Sequence, residues 1–342
     1  MMEADTSQSH GNRRPLVFVF SSRGMQWHGV HEVLDEAEPI FLETLRQCDL
    51  AARRYIDWSI EEELRQGPEA YRFHASDEHN EPVLTALQVA LHRLWESKGV
   101  RPGAVVSMSG GEYAAGYAAG VLSLEDAMLL ACTTSWCFRK EQGVGLGAMM
   151  TVALGREDME ALMPQLPERV HLAVDFGPQM TGLSGEGDAI ERAAALLESR
   201  GVRCWRSSSR YALHSPLWDG FEREYTGRLD ALRPGRPTMP IYSASVGGRV
   251  QEVSFDARHW WAVFRKRASY VDAVRRILDG HETFLEIGPH PILTVPIQEM
   301  ASSLGKEIVT LPSLHRDERP LVVLERSLEA LRSLGYVAQE TG

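Results

Sequence analysis

Pro102-Gly-Ala-Val-Val106, Ser107-Met-Ser-Gly-Gly-Glu112 and the alanine-rich stretch through Ala119 decide the fold. Val105 and Val106 belong to a short apolar, β-branched run of the kind that forms a buried strand. The glycines after it permit a sharp turn, and the alanines then favour helix. Strand, turn and helix in that order mark a parallel α/β unit, with function at the carboxyl end of the strand. Ser109 stands on the turn. Its hydroxyl would project, and the N–H of the next residue would lie at a helix N-terminus, which suits a nucleophile and an oxyanion stabiliser. Serine and glycine between a strand and a helix are, by themselves, ordinary turn residues.

The α/β rhythm continues on both sides. Upstream, Pro15–Phe20 reads as a buried first strand, and apolar residues recur at helical spacing from Val30 to about Leu64. A second helix is expected with Pro82 in its first turn and Gly99 at its end. Downstream, a helix runs from about Leu124 to the Gly143–Gly147 turn. Strand Met149–Leu154, helix Arg156–Met163, strands Val170–Val174 and Gln179–Ser184, helix Asp188–Arg200 and strand Val202–Ser208 then spell β-α-β-β-α-β. That order is the ferredoxin-like signature. A strand at Ile241–Ala244, a helix around Val271–Leu278, a strand at Phe284–Ile287 and a helix at Leu321–Leu334 resume the first pattern. The expected organisation is a discontinuous catalytic domain (15–147 and 210–312), a ferredoxin-like insertion (148–209), a C-terminal helix and tail (313–342) and a flexible leader (1–14).

At roughly 150 residues per domain, 342 residues give a prior of two domains. Lys and Arg number 36 against 47 Asp and Glu, a formal charge of −11, which argues against a general nucleic-acid binder. Cys48, Cys132, Cys137 and Cys204 form no C-x-x-C pair and no zinc spacing, so neither a metal site nor a disulfide scaffold is expected. The N-terminus lacks the apolar core of a signal peptide, and no apolar run is long enough to span a membrane. A cytoplasmic protein is expected.

A serine nucleophile needs a base. Among 12 histidines, His214 in Tyr211-Ala-Leu-His-Ser-Pro216 lies where the insertion returns to the larger unit. The other reading of a lone His before Ser-Pro is a helix-entry residue. The order of motifs carries a resemblance. Phe18-Val-Phe-Ser-Ser-Arg-Gly-Met-Gln-Trp27, Ser107-Met-Ser-Gly-Gly-Glu112, Ala118–Asp126, Tyr211-Ala-Leu-His214 and Phe284-Leu-Glu-Ile-Gly-Pro-His-Pro291 follow one another around a ferredoxin-like insertion. In this the chain resembles the malonyl-CoA:acyl carrier protein transacylase family, in particular the acyltransferases of modular polyketide synthases, from about Leu16 to Pro312. The resemblance implies an α/β-hydrolase-like parallel-sheet large domain with the ferredoxin-like subdomain inserted. It implies ping-pong acyl transfer through acyl-Ser109 with His214 as base, and an oxyanion hole from the N–H groups of Gly110 and Arg23. The histidine would be oriented by a backbone carbonyl, which the count along the motif places at Val263. No cofactor is implied. The substrates would be an acyl-CoA or acyl-carrier thioester and an acyl carrier protein, and the chain is expected to act as a monomer.

One departure bears on the substrate. Malonyl- and methylmalonyl-specific relatives carry an arginine about 25 residues after the nucleophile, and Thr134 occupies that position here. Threonine supplies neither a charge nor a planar fork for a carboxylate. The expectation is therefore a neutral acyl group, plain, branched or aminoacyl. Met25, Met108, Thr134, Trp136, Phe176 and Leu213 are expected to line a more apolar pocket; each could equally be a packing change. Arg203, Arg206, Arg210, Arg265, Lys266 and Arg267 are candidates for docking an acidic carrier or CoA phosphates, against the simpler reading of solvated charge. Three alternatives stay open: a thioester hydrolase on the same scaffold, a malonyl transferase whose clamp is relocated to Arg23 or Arg139, and a non-catalytic docking module.

Overall fold

The computed structural model describes residues 14–22, 38–66, 77–141, 147–251 and 254–337. Two sheets organise it. β1 (Val17–Phe20), β2 (Ala104–Ser107), β7 (Ile241–Ser243), β8 (Gly248–Arg249), β10 (Thr283–Ile287) and β11 (Val309–Pro312) form the first, in the order β11-β10-β1-β2-β7-β8. Every pairing is parallel except β7 with β8 at the edge. β1 is apolar throughout and buried at every position, as expected for a strand covered on both faces. Its side chains alternate between two cores. Phe18 and Phe20 pack with the helices Pro39–Ala52, Asp77–Ser97 and Leu124–Glu141. Val17 and Val19 pack with Val274, Ile277 and Ile297 of the helices Tyr270–Ile277 and Thr294–Ser303.

The second sheet is built from β3 (Gly147–Val152), β4 (Val170–Gly177), β5 (Met180–Glu186) and β6 (Cys204–Arg206), in the order β6-β3-β5-β4 with antiparallel pairing. That is the ferredoxin-like order read from the sequence. The helices Arg156–Leu162 and Gly187–Ser199 cover one face through Met159, Ile190, Ala194 and Leu197. One strand comes from outside the insertion: β9 (Ala268–Ser269) adds parallel to β4 and joins the two sheets.

Two helices differ from the sequence reading. The periodic stretch from Val30 splits into Pro39–Ala52 and Ile60–Arg65, with residues 30–37 outside the described part. Asp49 makes the break by accepting from the Ile60 N–H at 2.6 Å and the Ser59 hydroxyl at 3.0 Å, while Ser59 caps the second helix. Pro82 lies inside the helix Asp77–Ser97 and not in its first turn. A proline there leaves the carbonyl four residues back without its helical donor. That carbonyl, on Glu78, accepts from the Ser135 hydroxyl instead.

Candidate active site

Ser109 follows the end of β2 with φ of 55°, in the left-handed region that non-glycine residues seldom adopt. The strand must turn at once into the helix Gly111–Ala118, and that turn lifts the hydroxyl out of the sheet. The elbow is tight. A Cβ at Gly111 would stand 2.4 Å from the Phe20 carbonyl oxygen, and one at Gly110 would stand 2.0 Å from Glu81 Oε2. Gly111 is therefore required by space, since backbone stands in the way, whereas a side chain at Gly110 would have to displace the Glu81 carboxylate. Gly110 is the N-cap of the helix, and among the described residues its N–H donates to no backbone carbonyl. Glu112 anchors the first turn from below by accepting from the Ser243 hydroxyl at 2.7 Å and the Ser245 N–H at 3.2 Å. Burial pushes its carboxyl up to about 7, against the pull of those hydrogen bonds.

His214 arrives from the other side. Trp218 Nε1 and the Ser215 hydroxyl both donate to the Ala212 carbonyl, at 3.0 and 2.7 Å, and pin the segment before the 3-10 turn Pro216–Phe221. His214 also has positive φ, 54°, and is 5% exposed. Its Nε2 lies 3.0 Å from Ser109 Oγ and its Nδ1 lies 2.8 Å from the Lys266 carbonyl oxygen. A carbonyl only accepts, so Nδ1 carries the proton and Nε2 presents its lone pair to the serine hydroxyl. This is the arrangement of a base beside a nucleophile, with a third group fixing the tautomer.

The expected orienting group was Val263, and the structure corrects it to Lys266. Val263 is buried within the helix Ala257–Arg265, where its carbonyl runs along the helix axis. Lys266 is the C-cap. Its N–H closes the helix on Ala262 at 2.9 Å, and ψ of 156° turns its carbonyl away from the axis toward the imidazole.

Beside Ser109 and His214 lies a cavity of about 160 Å³ between the two sheets. Met108 and Leu213 line it from the first unit; Met149, Thr151, Val174 and Phe176 line it from the second, with Ser207, Ser208 and Ser209 along one side. The Phe176 ring lies where a side chain at Gly182 would be, 3.0 Å from an added Cβ. No lysine, arginine, aspartate or glutamate is among the described lining residues.

Of the expected pocket residues, Met108, Phe176 and Leu213 line the cavity and two do not. Thr134 is buried behind the elbow, its hydroxyl 2.7 Å from that of Tyr113 and 3.5 Å from that of Tyr225. Trp136 faces outward, with the Arg228 guanidinium 3.7 Å and Lys140 Nζ 5.0 Å from its ring centroid. Both lie on the helix Leu124–Glu141. Met25 and Arg23 lie outside the described residues. Arg139 is directed to the surface, 3.9 Å from Asp57, and does not line the cavity.

The docking candidates divide similarly. Arg206 is held by Glu191 and Glu198, Arg265 by Asp219, and Arg267 by Asp175 and Glu160. These three are internal ion pairs, because carboxylates on neighbouring elements lie within reach. Arg203, Arg210 and Lys266 are exposed, and Arg203 stacks 5.4 Å over the exposed Trp205 ring.

Sequence reasoning missed Gln88. Its buried amide donates to the carbonyls of Ser21 and Ile287, at 2.7 and 3.0 Å, and ties together the carboxyl ends of β1 and β10. A glutamine on an otherwise apolar helix face was the available signal. The motif at Phe284–Pro291 also has a structural explanation. Glu286 accepts from the N–H groups of Ile292, Leu293 and Thr294 at 2.8–3.1 Å, capping the helix that follows.

Comparison with known proteins gives the same picture. The family model for the acyl transferase domain matches residues 17–336. Polyketide synthase GfsB of Streptomyces halstedii is 34% identical over 308 residues, which are 90% of this chain and 6% of that protein. The acyltransferase domain from module 8 of the salinomycin polyketide synthase superposes with a TM-score of 0.87 at 34% identity, covering 94% of this chain and 75% of that one. A loading acyltransferase from the avermectin modular polyketide synthase gives 0.85 at 33%, covering 93% and 99%. Because the family match crosses both sheets and takes in the elbow, the histidine and the capping glutamate alike, the protein belongs to the acyl transferase domain family.

Proposed function

We propose that the chain moves an uncharged acyl group from a CoA or carrier thioester to the phosphopantetheine thiol of an acyl carrier protein in polyketide assembly. Ser109 attacks the thioester carbonyl as His214 Nε2 takes its proton, and the Gly110 N–H receives the developing oxyanion. The tetrahedral intermediate collapses as His214 returns the proton to the departing thiolate, leaving acyl-Ser109. The incoming thiol reverses the sequence, with its proton passing to His214 and then back to Ser109. The Lys266 carbonyl keeps the imidazole in the required tautomer throughout. Arg203 and Lys266 are exposed cations that would meet an acidic carrier.

The observation that carries the neutral-acyl reading is the cavity lining, in which methionine, phenylalanine, leucine and valine stand with uncharged serine and threonine, and no arginine or lysine is among the described residues. Against the described lining a malonyl carboxylate would meet no cation, at a cost of about 3 kcal/mol or more, or ~100-fold in acylation. The test is formation of acyl-Ser109, followed by intact mass with malonyl-, isobutyryl- and aminoacyl-thioesters on wild type and Ser109→Ala. A neutral acyl group should load at least ~100-fold faster than malonyl, and Ser109→Ala should not load. Efficient malonyl loading would overturn the substrate reading, and release of free acid regardless of an acceptor thiol would replace transfer by hydrolysis.

A further inference from the structure

The Lys266 carbonyl sits between two anchored arginines. On one side Arg265 pairs with Asp219, in the 3-10 turn just after His214; Asp219 is largely exposed, so that pair holds weakly. On the other side Arg267 sends Nε and Nη2 to Asp175 at 3.1 and 2.8 Å. Asp175 is fully buried on β4, between Val174 and Phe176 of the cavity wall. It also accepts from the Ser269 hydroxyl at 3.1 Å, and Arg156 Nη1 lies 3.5 Å away. Arg156 is itself forked onto Asp272 at 2.6 and 3.2 Å, and Arg267 Nη1 reaches Glu160 at 2.8 Å.

We propose that Asp175 and Arg267 are positioning residues that set the Lys266 carbonyl and, through it, the aim of His214. The proposal rests on His214 acting as the base in the transfer described above. Three observations support it. The Lys266 carbonyl and the Arg267 N–H belong to one planar peptide group, so fixing Arg267 fixes the tilt of the carbonyl. The next two residues, Ala268 and Ser269, are paired in register with Val174 and Asp175, so the chain cannot slide past β4. A buried carboxylate shared by two guanidiniums is also a poor way to gain stability over an apolar contact, yet breaking it is costly, which suits a part that fixes geometry. Because Asp175 lies between two wall residues, cavity wall and base move as one unit, and the acyl chain is registered against the same strand that aims the imidazole.

The experiment uses the double variant Asp175→Asn/Arg267→Gln, which leaves no uncompensated buried charge, and Arg267→Lys, which keeps the charge without the fork. Two readouts are taken on the intact chain. One is the single-turnover rate of Ser109 acylation against thioester concentration. The other is the His214 Nδ1–H resonance in 15N-histidine-labelled protein, assigned by its loss in His214→Ala. The double variant should acylate roughly 10- to 100-fold more slowly at saturation, with half-saturating thioester within about twofold of wild type and the Nδ1–H signal broadened or lost. Arg267→Lys should fall between it and wild type. A folded double variant with rate and signal unchanged overturns the proposal; if the double variant does not fold, wild-type values of both readouts in Arg267→Lys do so. Absence of acyl-Ser109 in wild type would sink the transfer reading alone, since the resonance still reports whether the pair holds the imidazole.

Discussion

Ser109 and His214 both adopt φ near +55°, at 55° and 54°, so the two groups that meet at 3.0 Å are each held by strained backbone. For a residue with a Cβ this conformation costs about 1 kcal/mol or more, and glycine avoids the penalty. Ser109→Gly and Ser109→Ala should therefore both abolish acylation, yet Ser109→Gly should be the more stable by about 1 kcal/mol in urea unfolding. Equal stabilities would show that the elbow is unstrained. The strand, small-residue turn and alanine helix made the serine a candidate, and the order of motifs across the chain singled it out. The histidine before Ser-Pro reads locally as a helix-entry residue as well, and the same order of motifs pointed to it as the base. The Lys266 carbonyl was not legible, since any residue type supplies a carbonyl and the one that matters is set by where a helix stops. Two more helical residues and the C-cap carry the chain from the expected Val263 to the observed contact at Lys266. Thr134 was expected to line the pocket, but its surroundings depend on Tyr113 and Tyr225, which come from two other helices.

Among the elements, the ferredoxin-like insertion was the most legible part of the fold, because its strands and helices alternate with short connections and each keeps its own period. The helical stretch from Val30 was less so: its break depends on Asp49 accepting from Ile60, a contact between residues 11 apart that no periodicity records. The helix Thr294–Ser303 gives a testable case. Leu293 at its N-cap has no side chain able to cap it, and Glu286 on the preceding strand replaces that function with three backbone N–H acceptances and one from the Thr294 hydroxyl. Those hydrogen bonds pull the carboxyl down while burial pushes it up more strongly. Glu286→Ala should leave several buried donors unmet and destabilise the protein by about 3–5 kcal/mol in denaturant unfolding, with Glu286→Gln losing about half of that. A loss below about 1 kcal/mol would mean that the helix is capped by other means. The Glu286 side chain thus has a structural part in the motif, capping the helix that follows.

At the scale of the whole molecule, stability should depend on pH through groups that the fold withdraws from water, and their signs oppose. Burial pushes His92 and His259 down to about 4 from an ordinary 6.5, so their contribution is present above pH 6.5 and is lost as pH falls toward 4. Glu112 runs the other way. Its carboxyl is raised from 4.5 to about 7, so the unfolded chain ionises first as pH rises. Its contribution is complete below pH 4.5 and is lost as pH climbs through about 7. Glu112 also lies at a structural joint. It holds Ser243 and Ser245 on either side of Ala244, whose carbonyl accepts from Ser269 of the second sheet at 2.7 Å. Charging it therefore loads the contact between the two units. Glu112→Gln cannot ionise, and subtracting its unfolding free energy from that of wild type at each pH cancels the two histidines. The difference should shift in favour of the glutamine variant by up to about 3 kcal/mol between pH 4.5 and 8, most of it below pH 7. Urea titrations at half-unit intervals of pH would show this as a single sloping step. A flat difference would mean that Glu112 keeps its charge in the folded protein, with the Ser243 and Ser245 hydrogen bonds outweighing its burial.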